Sequence, residues 1–316
     1  MRHSYLLLLS LLAGGWTSAV AQQQPVMSAF QFNPLPLNPA FAGIGDHYRF
    51  TATQRSQWMG IDGNPNTQWL CMDVPLFSRS VGVGGSLVHD AIGVTRNTTA
   101  SVDAAYHLPT AVGRLSFALR GGLRTHRADF GSLVVPDPSD PRYAEAVFRQ
   151  TIGFLGFGIA LRPTNGRWFV GAAVPEFRWS EGDLQPAAAE GRFHIPHRYL
   201  TAGATFATPL DRDVRTMLSV RQVPDGFSSV DVNGSIEVFA APTAKGQQVW
   251  VGAGYRTARS LLMSVEWQVT SLLRVLYAYD LVGSGLLSPV GSGHEISLGL
   301  DLTAARPRLQ HPRYLP

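Results

Sequence analysis

The sequence predicts an all-β chain closed into an antiparallel transmembrane barrel of about 14 strands. Three observations carry that prediction. The first is a two-residue alternation from Met263 to Leu302. Met263, Val265, Trp267 and Val269 fall on one face and Ser264, Glu266, Gln268 and Thr270 on the other, because successive strand side chains point to opposite sides. Val275, Tyr277 and Tyr279 against Arg274, Ala278 and Asp280 repeat the pattern, as do Ile296, Leu298, Leu300 and Leu302 against Glu295, Ser297, Gly299 and Asp301. The second is that 45% of the chain is hydrophobic, yet after the N-terminal leader no stretch reaches the ~18 apolar residues of a membrane helix. The third is a series of short alternating segments separated by turn-forming Gly, Pro, Asp and Asn, with 32 Gly and 21 Pro in all.

In chain order, Arg2 and His3 form a basic start, Tyr5 to Ala13 an apolar run, and Ala19-Val20-Ala21 a cleavage site, so residues 1–21 read as a signal peptide. Residues 22–45 are polar and punctuated by proline, with no sustained period. Asn33-Pro34 and Asn38-Pro39 are turn formers there, and the segment reads either as a plug or rim of the barrel or as a flexible periplasmic tail. The barrel is expected over residues 46–302, with 303–316 a C-terminal tail.

The expected strands are Tyr48–Gln54, Thr67–Val74, Ser80–Asp90, Thr98–His107, Arg114–Arg124, Ile152–Arg162, Trp168–Val174, Tyr199–Thr208, Arg215–Val223, Ser229–Ala240, Gln247–Thr257, Leu261–Thr270, Leu273–Asp280 and His294–Leu302. Thr257–Ser260 and Ser271–Leu272 read as tight turns, and Thr125–Thr151 and Pro175–Arg198 as long loops, in keeping with barrels that carry short turns on one side and long loops on the other. Glu266, Arg274, Asp231 and Glu237 suit a wet lumen. Trp58, Trp168, Phe169, Trp179, Trp250, Tyr277 and Tyr279 read as interfacial aromatics. Closure also removes the open edges that a sandwich of this size would carry.

Chemistry is sparse. The lone Cys71 forms no intrachain disulfide and reads as a small apolar strand residue. A net charge of +4 comes almost wholly from arginines spread along the chain, with Lys245 the one lysine, which is no nucleic-acid groove. His89-Asp90 and His294-Glu295 are neighbours on strands, so each pair splits across the two faces and forms no base-and-orienter couple. The histidines are scattered: of His107, His126, His194 and His197 only the last two have ligand spacing on one element, and His194-Ile195-Pro196-His197 reads as a loop, while Gly82-Val83-Gly84-Gly85 has no helix, Lys or Ser/Thr in phosphate-loop position. Those glycines read as curvature or close approach by the N-terminal segment. No Ser-His arrangement supports a hydrolase, and the expectation is no enzyme, no cofactor and no metal.

Several motifs in order resemble one family. Phe32-Asn33-Pro34-Leu35-Pro36-Leu37-Asn38-Pro39-Ala40-Phe41-Ala42-Gly43 resembles the opening of the PorP/SprF family of Bacteroidota outer-membrane proteins. Arg55-Ser56-Gln57-Trp58 with Gly60, Gly63, Pro65 and Thr67 resembles its R-x-Q-W stretch, and Gly82-Val83-Gly84 leading to Asp90-Ala91-Ile92-Gly93 its glycine-rich strand. Tyr277-Ala278-Tyr279-Asp280, His294-Glu295-Ile296 and Pro312-Arg313-Tyr314 match later elements. Residues 165–185 and the long loops carry no family motif, and His89 stands where the family more usually has Asn. The resemblance implies an outer-membrane barrel, in outer-membrane lipid, attached to the type IX secretion and gliding machinery. Its implied partners are type IX secretion components and secreted surface proteins with C-terminal sorting domains, with no nucleic acid. Asn38, Pro39, Phe41, Gly43, Arg55, Gln57, Trp58, Asp90, Gly93, Tyr279, Asp280, His294 and Glu295 are the motif residues expected to serve structure or partner contact. A general diffusion porin is the alternative; Phe239, Leu276 and Arg274, assigned to the lumen face, oppose it.

Overall fold

The computed structural model describes residues 24–45, 47–76, 80–132, 147–178, 196–210, 212–223, 228–240, 247–257, 260–282 and 292–303. The expected signal peptide, Trp179, His194 and the C-terminal tail beyond residue 303 lie outside them. The strands are β1 His47–Gln57, β2 Asn66–Leu76, β3 Val81–Ile92, β4 Thr95–Pro109, β5 Gly113–Asp129, β6 Val147–Pro163 and β7 Trp168–Arg178. They continue as β8 Arg198–Ala207, β9 Asp213–Gln222, β10 Ser229–Ala240, β11 Gln248–Arg256, β12 Ser260–Gln268, β13 Leu273–Val282 and β14 Ser292–Thr303. Each pairs antiparallel with its neighbours, and β1 pairs with β14 from His47↔Thr303 to Gln57↔Gly293, so the sheet closes as a barrel of 14 strands.

The alternation that predicts the strands also sorts their faces. Outward positions such as Leu119, Phe157, Met263, Val265 and Leu298 are exposed, while the intervening Ala118, Ala160, Ser264 and Ser297 are buried toward the axis. Apolar side chains exposed on a closed barrel face lipid, and the backbone polar groups are all used in the ladder. A row of outward polar residues in register, Gln54, Gln68, His89, Thr98, Thr125 and Thr151, ends the apolar band on one side of β1 to β6. His89 bonds Thr98 at 3.0 Å and Thr125 bonds Thr151 at 2.9 Å within that row. β5 and β6 run past it to 17 residues each, beyond the expected Arg114–Arg124 and Ile152–Arg162. Apart from Val147 at the start of β6, their extra outward residues, Arg127, Asp129 and Arg149 among them, are polar, so the apolar alternation stops where pairing continues.

Strand parity places the ends of β2, β4, β6, β8, β10, β12 and β14 at one end of the barrel together with the start of β1. The ends of β1, β3, β5, β7, β9, β11 and β13 lie at the other, and the longest connections by residue number, β5 to β6 and β7 to β8, leave from there. Longer loops face outside in outer-membrane barrels and short turns the periplasm. The tight connections expected at 257–260 and 271–272 flank β12, so they lie at opposite ends and not on one short-turn side.

Trp250, Phe169 and Phe239 differ from expectation. Trp250 is buried in the lumen, with the Arg215 guanidinium 3.5 Å from its ring centre, and Phe169 turns inward, so neither belongs to an interfacial girdle. Phe239 points outward: a bulge between Glu237 and Phe239 shifts the register and reverses the facing of the residues after it. Leu276 and Arg274 are lumenal as expected, both largely buried.

If the outward face is in lipid, Val265→Arg at mid-β12 costs about 2–4 kcal/mol. Urea titration of the refolded barrel in lipid should show that loss, whereas Ser264→Ala one residue away should cost under about 1 kcal/mol.

Candidate functional site

The lumen is filled by the chain's own N-terminal segment. Within residues 26–44, Ala29, Phe30, Phe32, Leu35, Asn38, Ala40 and Ala42 are each no more than 1% exposed. Pro34 starts a turn closed by Leu37 N donating to the Pro34 carbonyl at 3.1 Å. A single 3₁₀ turn follows at Pro39–Phe41, capped by Asn38, whose Oδ1 accepts from Ala40 N at 2.9 Å. The Asn-Pro pair suits this: the side chain satisfies a free N–H at the turn's start, and proline there has no N–H to leave unpaired.

Backbone of this kind presents donors and acceptors that no ladder satisfies, so the barrel wall must supply partners. Near the loop end, Glu295 accepts Ser28 N at 2.7 Å and Ala29 N at 3.1 Å through its two oxygens. Arg55 donates to the Val26 carbonyl at 2.8 Å, to Gln57 Oε1 at 3.1 Å and to Asp280 Oδ2 at 2.6 Å, and its Nε lies 3.7 Å from Glu295. Ser28 Oγ also donates to Asp280. Across the lumen, Asn233 of β10 donates to the Ser28 carbonyl at 3.0 Å and to Gln31 Oε1 at 2.7 Å. Two carboxylates, one guanidinium and the plug backbone thus form one buried network.

The middle of the plug is held from β4 to β7. Asp103 fixes Arg120 through contacts of 2.6 and 3.0 Å, and Arg120 then donates to the Leu35 carbonyl at 2.9 Å and the Pro36 carbonyl at 3.1 Å. Asn38 Nδ2 donates to the Ile159 carbonyl at 3.1 Å and the Ala172 carbonyl at 3.4 Å, which it reaches because Gly158 and Gly171 lie beside it. Phe41 packs edge-on against Phe169 with ring centres 5.1 Å apart. Phe32 lies under the Arg274 guanidinium at 4.5 Å, and Arg274 is itself held by Asp301 at 2.8 Å. At the turn end, His107 bonds the Ala42 carbonyl at 2.9 Å, Arg114 the Ile44 carbonyl at 3.2 Å, and Gly43 N donates to Asp73. Gly43 has φ +63°, and a Cβ on Gly82 would collide with the Ala42 carbonyl, so glycine is required on both sides of that crossing.

A family model described as "Type IX secretion system membrane protein PorP/SprF" matches residues 19–300, nearly the whole barrel and the plug. The chain belongs to the PorP/SprF family. A comparison with curated proteins finds no match. Among solved structures, a TodX mutant described as a monoaromatic hydrocarbon channel is 10% identical, with 91% of this chain and 99% of that chain covered at a TM-score of 0.51. Omp33 of Acinetobacter baumannii is 8% identical, with 82% and 100% covered at a TM-score of 0.45. The TodX likeness shows the barrel fold alone.

Eight of the thirteen motif residues of this PorP/SprF protein converge on the plug. Arg55, Gln57, Asp280 and Glu295 meet at residues 26–29, and Asn38, Pro39, Phe41 and Gly43 are the plug's own contacts. Trp58 ends β1 at φ +53°, its N–H donating to the Ser292 carbonyl at 2.8 Å, and it faces the space above the plug instead of lipid. Asp90 accepts Thr67 Oγ1 at 2.6 Å on the same wall. Gly93, at φ +55°, donates to the Gly63 carbonyl at 2.8 Å and ties two loop-end turns together. Tyr279 and His294 stand apart on the outer face: their rings are 4.9 Å apart, and His294 bonds Tyr277 at 2.8 Å. His294 and Glu295 thus split across the wall. Sequence reading passed over Asp103, Arg120, His107 and Asn233 as plug partners; their signal was a polar side chain at an inward strand position.

Gly82→Ala should displace the plug, because the added methyl takes the place of the Ala42 carbonyl. Limited proteolysis of the folded barrel should then cut within residues 26–44, where the wild type resists. Glu295→Ala should cost about 3–5 kcal/mol, since it orphans two buried N–H groups and unbalances Arg55, as read by denaturant unfolding.

Proposed function

We propose that this PorP/SprF protein is a non-catalytic, closed outer-membrane barrel that supports export or surface anchoring of large secreted proteins carrying C-terminal sorting domains. Its partners are type IX secretion components at the membrane, and its contribution is a rigid platform in the gliding and secretion machinery. Family membership supports the secretion role. The observation that carries the platform reading is the filled lumen: Phe30, Phe32, Leu35 and Leu276 are each about 1% exposed inside the barrel, so among the described residues packed side chains occupy the axis. A diffusion porin needs a continuous aqueous lumen, and so does a conduit for unfolded cargo through this barrel. Cargo then engages the outer end of the platform or its rim.

Deletion of the gene should abolish surface display of a partner adhesin while leaving its synthesis intact; unchanged display removes the anchoring role. In planar bilayers the wild-type barrel should pass no porin-like steady current, whereas a variant lacking residues 24–44 should conduct.

A further inference from the structure

Above the plug, at the loop end, the wall encloses a cavity of about 730 Å³, in the range of small-ligand sites. Arg55, Arg120, Arg124, Arg221 and Arg256 all line it. Four of these guanidiniums have carboxylate partners: Arg55 with Asp280 and Arg120 with Asp103, both at 2.6 Å, Arg124 with Glu176 at 2.6 Å, and Arg256 with Asp231 at 2.9 Å. Arg221 is different. It is 6% exposed, and among the described residues no carboxylate forms an ion pair with it; its Nε and Nη1 have no hydrogen-bond acceptor. Directly across the β9–β10 ladder, Ser229 is 1% exposed and its Oγ also lacks a partner. Tyr199 completes an inward-facing row on the other side of Arg221.

A buried guanidinium without a counter-charge is costly, and buried polar atoms ordinarily find partners. Here a cation with unmet donors stands on the wall of a cavity large enough to admit a ligand, and an unpartnered hydroxyl lies directly behind it across the ladder. We propose that Arg221 and Ser229 form a binding site for a carboxylate carried on an acidic peptide segment that enters the cavity from the cell-surface end. Arg221 itself brings one positive charge with no ion-pair partner among the described residues, which a single carboxylate balances and a phosphate dianion overshoots. Trp58, Trp69 and Val88 give the same cavity apolar surface for the stem of such a segment. The partner's identity as secreted cargo rests on the anchoring role above; the site itself does not.

The test uses the purified full barrel in lipid nanodiscs, with calorimetric titration of tetraglutamate, tetraglutamine and inorganic phosphate at physiological salt. Tetraglutamate should bind at least tenfold more tightly than tetraglutamine, and phosphate should compete poorly. Arg221→Gln should weaken tetraglutamate at least tenfold while leaving the thermal midpoint unchanged or raised, because it removes an uncompensated charge. Ser229→Ala should weaken it about threefold. Equal binding of the two peptides, or Arg221→Gln binding like wild type, overturns the site. A midpoint lowered by several degrees in Arg221→Gln also overturns it, since the charge is then satisfied within the chain. Phosphate binding more tightly than tetraglutamate assigns the cavity to a lipid or sugar phosphate instead. Normal adhesin display with no peptide binding defeats this site and leaves the anchoring role standing.

Discussion

The structure depends on how the backbone of residues 26–44 finds hydrogen bonds inside the barrel. About eight strands already give an interior that side chains alone can fill, so fourteen leave a gap that must hold water or more chain. This chain fills it with itself. An irregular segment then brings N–H and C=O groups into a space with little solvent, and each unpaired one costs about 1–3 kcal/mol. The Glu295 carboxylate on Ser28 and Ala29, Arg55 on the Val26 carbonyl and Arg120 on Leu35 and Pro36 meet that demand with charged groups, which make the stronger hydrogen bonds.

Charges placed there need balancing in turn. Asp280 pairs with Arg55, Asp103 with Arg120 and Asp301 with Arg274, so the wall carries a set of internal pairs whose remaining hydrogen-bonding capacity faces the plug. Removing one member leaves its partner buried and unmatched, which costs more than the pair itself contributes. The small residues have a complementary task. Gly82, Gly158, Gly171, Ala105 and Ala118 let the wall approach within contact of residues 38–43, whereas the bulky lumen residues Leu276 and Trp69 join apolar clusters with the plug's Ala29 and Phe32 and with its Met27 and Leu35.

Much of the fold was legible because lipid imposes strict alternation. All fourteen strands were placed, and their count fixed the closure. Errors fell where alternation carries no information: the polar upper ends of β5 and β6, the bulge that turns Phe239 outward, and aromatics such as Trp250 that fill the lumen. The lumenal placement of Glu266, Arg274, Asp231 and Glu237 was legible from facing alone. The plug was not, because Gln22 to Gly45 has turn chemistry and no period, and the composition of a plug and of a tail is the same. Only the positions of its partners, spread over β1, β4, β5, β10 and β14, distinguish them.

Hydrogen exchange in the intact barrel tests the central claim most directly. Amides of Ser28, Ala29, Phe32 and Phe41 should exchange as slowly as those of neighbouring strands, because their acceptors are Glu295 and the plug's own carbonyls in a closed lumen. Glu295→Gln should speed the first two most. Exchange of residues 26–44 at the rate of an unstructured peptide in the wild-type barrel would contradict the account.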